Sequence, residues 1–418
     1  MTISLVHHAR RRVRENPLPV RVANFAGRGL RLAGWSPSLD ADRLIGVARR
    51  RTGYEDLGGG DFREPLEAYV ASLNDEATLT TVGRLAARSH LITLLSNRLL
   101  MQHWWAQHPE ILQQPVTRPW FVTGLPRSGT TLMQHLLALD AKNRSLRFWE
   151  AAAPAPPPDA RPTLEDPRIE RARRSHRTLD YLAPEANRLH PVAAESPTEC
   201  VSLLAHSFAS LEFGAVHYVP SHVRWCLEAD LLPHYEYFKQ QLQLLQWRTQ
   251  QERWTLKSPA HLLGLDAVLS VFPDARIIWM HRDPAAAVTS HCSLTAVLHS
   301  IGSNHVDASA IGAQWSRVWL EGVARAISVR ERHGEAAFFD VAYDDLVRDP
   351  ERAVDDVYAW ADAALTDDAR TAIRSHLAGK GRAGGEHQYQ PAQFGLSAEE
   401  IRASFGGYLN RFSHVPLV

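Results

Sequence analysis

From Asp75 to Trp105 the apolar side chains fall at helical intervals. Leu85, Ile92, Leu95 and Leu99 are seven, three and four residues apart, which predicts one stripe along one side of a helix. Residues 1–115 read throughout as a mostly helical N-terminal region packed on the core. At Trp120 the pattern changes. Short apolar runs now lead into loops and then helical stretches: "WFVTG" (120–124), "RWTLKS" (253–258), "ARIIWMH" (275–281) and "AAFFDVAY" (336–343). This alternation predicts an α/β fold over 116–418, a central parallel sheet flanked by helices. Residues 151–252 read as an insertion. It opens on "APAPPPDARP", whose prolines suit a rim loop, and continues into helical sequence such as "YEYFKQQLQLLQWRTQQ", which predicts a cap that binds the acceptor.

Ligands of parallel sheets meet the carboxyl ends of the strands, so the residues after each run are the first candidates. The first run continues as "LPRSGTTLMQHLLAL", in which Leu132, Leu136 and Leu139 form an apolar helical face. A strand, a glycine turn and a helix N-terminus together aim backbone N–H groups at an anion. Arg127, Ser128, Gly129, Thr130 and Thr131 form this cradle, adding a fixed charge and hydroxyl donors. The lysine that follows the second glycine of the usual phosphate loop is replaced by Thr130. That lysine serves the β/γ-phosphates of ATP or GTP, so its loss suits a nucleotide without a γ-phosphate. The alternative is a glycine turn in a Rossmann-like sheet.

Arg282 leaves the third run, and Ser290 lies eight residues on, a spacing that can bring guanidinium and hydroxyl to one anion. The alternative for Arg282 is an ordinary salt bridge with Asp283. Lys257 ends the second run. Only Lys142, Lys239, Lys257 and Lys380 among the 46 basic side chains are lysines, so a lysine at a strand end suggests a compact ammonium, with a solvated surface charge as the alternative.

The stretches "GLPRSGTT" and "HRDPAAAVTS" resemble the 5′-phosphosulfate loop and the 3′-phosphate motif of sulfotransferases that use 3′-phosphoadenosine 5′-phosphosulfate (PAPS). The segments "RFWEAAAPAPPP", "LKSPAH" and "VAYDDLVRDP" are similar to the bacterial branch, related to tyrosylprotein sulfotransferases. The resemblance runs from about Trp120 to the C-terminus and implies a P-loop-containing nucleotide-binding fold that moves a sulfuryl group from PAPS to an acceptor hydroxyl. It further implies that Arg282 and Ser290 bind the 3′-phosphate, that Tyr343 meets the adenine, and that Lys257 stabilises the departing phosphate. Pro259 stands where cytosolic sulfotransferases carry a catalytic histidine, so the resemblance points to Glu150 as general base, with Glu195, Glu199 and His261 as further candidates. Glu199 also reads as part of a capping box in Ser196-Pro197-Thr198-Glu199. The loop "GKGRAGGEH" (379–387), with Lys380 and Arg382, matches weakly a basic segment that closes over the donor.

Composition narrows the partners. The 418 residues are 45% hydrophobic, enough for a large core, and the 46 basic and 46 acidic side chains cancel, so no overall field draws the chain to nucleic acid. Cys200, Cys226 and Cys292 are scattered, which favours a reducing, cytoplasmic compartment. The Arg-rich start suits a solvated helix end or an anionic membrane surface. No transmembrane segment and no compact metal-ligand spacing is found, so no metal is expected. Small-molecule, lipid, carbohydrate and tyrosine-type acceptors all remain open, as does oligomeric state. A P-loop small-molecule kinase and a non-catalytic nucleotide-binding module are the rival readings.

Overall fold

Five parallel strands form one sheet in the order β2-β3-β1-β4-β5. In this computed structural model residues 17–59, 62–159, 165–182, 193–249, 251–379 and 390–416 are described. Among the described residues four α-helices precede the sheet: α1 (Leu18–Leu32), α2 (Ala41–Thr52), α3 (Arg63–Asp75) and α4 (Thr81–Gln107). Then come β1 (Trp120–Gly124), α5 (Thr130–Leu137), β2 (Asn143–Ser145) and the short α6 (Phe148–Ala152). The segment between β2 and β3 further contains α7 (Pro167–Leu182), four short helical pieces between Val201 and Glu228, and α8 (Leu232–Gln246). The remaining sheet elements are β3 (Arg253–Lys257), β4 (Arg276–His281) and β5 (Phe338–Ala342). Between and after them lie α9 (Pro284–Gly302), α10 (Ala308–His333), α11 (Tyr343–Arg348), α12 (Pro350–Trp360), α13 (Ala398–Ser404) and α14 (Gly406–Arg411).

All four apolar runs are strands. β1, β3 and β4 are buried on both faces, which is why they read as continuous apolar stretches instead of alternating ones, while Phe339 and Asp340 of the edge strand β5 are only half-buried. β2 escapes sequence reading because its residues, Asn143, Arg144 and Ser145, are polar. Its order comes from pairing with β3, from Asn143 donating to the Tyr358 hydroxyl, and from Arg144 reaching the Leu245 carbonyl.

The sheet carries a core on each side. One contains Phe121, Leu256, Ile277 and Trp279 under α9, α10 and the cap; the other contains Trp120, Val122, Ile278 and Val341 under α5 and α12. A third core joins α2, α3 and α4 to Phe208, Phe213 and Val219, so these helices and the segment after Val201 bury a common surface.

Two expectations are corrected. Ile92, Leu95 and Leu99 are buried, but Leu85 is exposed. In its first turns α4 is held by the opposite side, about 200° around the helix from Leu85, where a Cβ on Gly83 would collide with the Gly302 carbonyl of α9. Glu199 forms no capping box. Pro197 bridges to Arg147, the Thr198 amide donates to the Leu146 carbonyl, and the next helix begins only after Cys200, without a side-chain cap.

Candidate active site

Parallel pairing aligns the carboxyl ends of the strands along one edge. The register sets Val122 against Lys257, Gly124 against Met280, and His281 against Ala342. Lys257 therefore ends β3 beside the start of the glycine loop, Arg282 follows β4 and Tyr343 follows β5. Proximity of these residues is a property of the sheet and not of the loops alone.

The loop itself needs unusual backbone. Gly124 has φ 140° and a Cβ there would collide with the Met280 carbonyl. Gly129 caps α5 at φ 89°, where a Cβ would lie 3.0 Å from Leu346 and 3.1 Å from Tyr343. Between them Arg127 takes φ 66°, a conformation rare for a side-chain-bearing residue and one that concentrates at functional sites. The start of α5 has no side-chain cap, so its first amides remain available to an anion. Ser128 is fully buried and its hydroxyl has no partner among the described residues, while Thr130 is buried and Thr131 half-buried.

Arg127, Ser290, Arg282 and Tyr343 meet around this loop. Arg127 Nε donates to Ser290 Oγ at 3.3 Å, Arg282 donates to the Arg127 carbonyl at 2.6 Å, and the Arg282 guanidinium stacks 4.1 Å above the Tyr343 ring. The alternative salt bridge of Arg282 with Asp283 is not formed. Asp283 instead caps α9 through the Ala286 amide and accepts two bonds from Arg402 of α13, at 2.9 and 3.0 Å. Just before it, His281 is fixed between Asp340 and the Tyr408 hydroxyl of α14. These C-terminal anchors carry no motif, and only their contact with the end of β4 reveals them.

Lys257 is buried, and its Nζ donates to Glu199 Oε1 at 2.6 Å. Cys200, next in sequence to Glu199, donates its amide to the Lys257 carbonyl, which holds the two segments together. Glu150 lies in a different setting. It is buried, one carboxylate oxygen accepts from Arg144 at 3.0 Å, and the other accepts the Arg147 amide at 3.0 Å as a cap of α6. Arg144 also stacks 4.5 Å over Trp254. Glu195 is on the surface, paired with Arg173. His261 is enclosed by Phe121, Tyr235 and Phe238, and burial pushes its pKa down to about 3, the behaviour of a core histidine. The loop residues Lys380 and Arg382 lie outside the described residues.

No group of three or more potential ligands is positioned for a metal among the described residues, and none of their helices is long and apolar enough to cross a membrane. The three cysteines are buried and unpaired with each other.

The sequence profile of the Sulfotransferase family matches residues 119–367. The crystal structure of a sulfotransferase from Mycobacterium avium superposes with a TM-score of 0.84 at 32% identity, covering 92% of this chain and 99% of that one. A second, from Mycobacterium tuberculosis, gives 0.79 at 33% identity over 88% and 98% of the two chains. An omega-hydroxy-beta-dihydromenaquinone-9 sulfotransferase of Mycobacterium tuberculosis is 25% identical over 241 residues, 56% of this chain and 60% of its own length. The same-named protein of Mycobacterium bovis gives the same figures, so the match spans less than two thirds of these curated relatives.

Proposed function

Because the chain belongs to the sulfotransferase family, we propose that it transfers a sulfuryl group from PAPS to a hydroxyl of a small molecule or lipid, releasing adenosine 3′,5′-bisphosphate. The observation that carries this reading is the meeting of Arg127, Arg282, Ser290 and Tyr343 at one anion-ready loop, with Lys257 at the adjoining strand end. The buried, unpartnered Ser128 hydroxyl fits a bound oxyanion.

When bound, PAPS supplies an activated sulfate whose leaving group is a phosphate. In this reading the α5 amides, Ser128, Gly129, Thr130 and Thr131 hold the 5′-phosphosulfate. Arg282 and Ser290 hold the 3′-phosphate, and Tyr343 borders the adenine. Lys257 donates to the bridging oxygen of the departing phosphate, neutralising charge as it develops. A base must take the acceptor proton at the same edge. Glu199 is our choice over Glu150: Glu199 touches Lys257 and is partly open to solvent at the sheet edge, whereas Glu150 is buried in a pair with Arg144 and caps α6. Glu150 then positions Arg144 and the start of α6. The acceptor class draws support from the menaquinone-derived name of the curated relatives.

Thermal unfolding tests the reading. Adenosine 3′,5′-bisphosphate at a hundred times its dissociation constant stabilises the fold by about 2.7 kcal/mol, and Mg-ATP gives much less. Stabilisation by Mg-ATP alone would assign the site to a kinase.

A further inference from the structure

Helix α1 is amphipathic in the reverse sense. Its buried residues are Asn24 and Gly27, which face α4: the Asn24 side chain accepts the Val82 amide at 2.9 Å, and Gly27 rests against Thr81. The large apolar residues point away from the protein. Leu18, Val22, Phe25 and Leu32 are separated by four, three and seven residues, a single helical stripe, with exposures of 70%, 59%, 79% and 92%. Leu30 and Trp35, about half exposed, extend the surface past the end of the helix. Six of the large hydrophobics that the fold leaves open thus fall within eighteen consecutive residues, too many in one place for incidental exposure.

The charges identify the occupant. Arg21 and Arg28 are seven residues apart and border the stripe on one side, Arg31 of the last turn faces the protein and donates to the Leu79 carbonyl, and the helix contains no acidic residue. The arginines that precede the helix in sequence have the same sign. We propose that α1 is a membrane-surface helix that lies in the interface of an anionic bilayer, with Leu18, Val22, Phe25 and Leu32 in the acyl boundary and Arg21 and Arg28 at lipid headgroups. A strong apolar face with arginines beside it is what holds a helix in that plane. A second copy of the chain is the poorer occupant, because two such helices would bring arginines of like charge together across the interface. The association is independent of whether the active site transfers sulfate.

Vesicle co-sedimentation of the full chain tests this. Binding is expected to vesicles of phosphatidylcholine with a third phosphatidylglycerol, to weaken with salt, and to be several-fold lower on phosphatidylcholine alone. Phe25→Ser with Leu32→Ser is expected to lower binding at least tenfold with an unchanged circular dichroism spectrum, because both side chains are exposed. Arg28→Gln lowers it about fivefold, the worth of one basic residue near an anionic surface. Absence of binding to anionic vesicles, or equal binding by the double variant, overturns the proposal. A concentration-dependent dimer in light scattering that the double variant dissociates, with no vesicle binding, would assign the face to a second copy.

Discussion

Two glutamates that look alike in sequence have opposite environments. Glu150 neutralises Arg144 in a buried pair and caps α6, while Glu199, 23% exposed, reaches Lys257 at the edge of the sheet. Removing one member of a buried pair leaves the other charge desolvated. Glu150→Gln is therefore expected to lower stability by up to about 3 kcal/mol while folded protein keeps its turnover. Glu199→Gln and Lys257→Ala should each lower turnover by about 100-fold or more with donor affinity largely kept. Turnover of the three variants, measured beside a melting curve for each, separates these roles. Full activity in Glu199→Gln together with a loss in well-folded Glu150→Gln returns the base to Glu150. Resemblance located Glu150, but its hydrogen-bond partners could not be read from sequence, because Arg144 belongs to a strand with no apolar signature.

At the scale of elements, the glycines in helices separate packing from propensity. Alanine is favoured over glycine within a helix by about 1 kcal/mol. Gly29 of α1 has nothing within reach of a Cβ, so Gly29→Ala should raise stability by up to about that amount. Gly83 of α4 touches the Gly302 carbonyl, and overpacking of this kind costs about 1–3 kcal/mol. Gly83→Ala should therefore be destabilising despite its better propensity. Urea unfolding of the pair checks both signs. A stabilising Gly83→Ala would mean that the contact between α4 and α9 gives way easily. The helical period predicted α4, but this contact turns its first turns so that Leu85 meets solvent. Likewise four of the five strands are legible as apolar runs, while the capping box expected from Ser196 to Glu199 does not form, because backbone pairing with Arg147 and Leu146 satisfies that segment in place of a helix.

Across the whole molecule, several imidazoles are held neutral. Burial lowers the pKa of His206, His217 and His261 to about 3 and that of His222 to about 4. In the unfolded chain they titrate near the ordinary value of about 6.5. Between these limits the unfolded state binds more protons, so stability is full above about pH 6.5 and declines as pH falls toward 4, by up to about 1.4 kcal/mol per unit for each histidine. Melting temperatures from pH 8 to 4 should fall steeply below 6.5, and a flat profile would mean that these sites admit water. Sequence alone determined the parallel sheet, the loop without its lysine and the candidates at the strand ends, since burial on both strand faces and the needs of an anion cradle leave local, periodic traces. Tertiary structure decided what no local pattern encodes: which glutamate meets Lys257, which arginine takes Asp283, and that α1 turns its apolar stripe outward. Each of these depends on partners from 58 to 119 residues apart or on a surface the core leaves uncovered, and neither leaves a periodic trace in the local sequence.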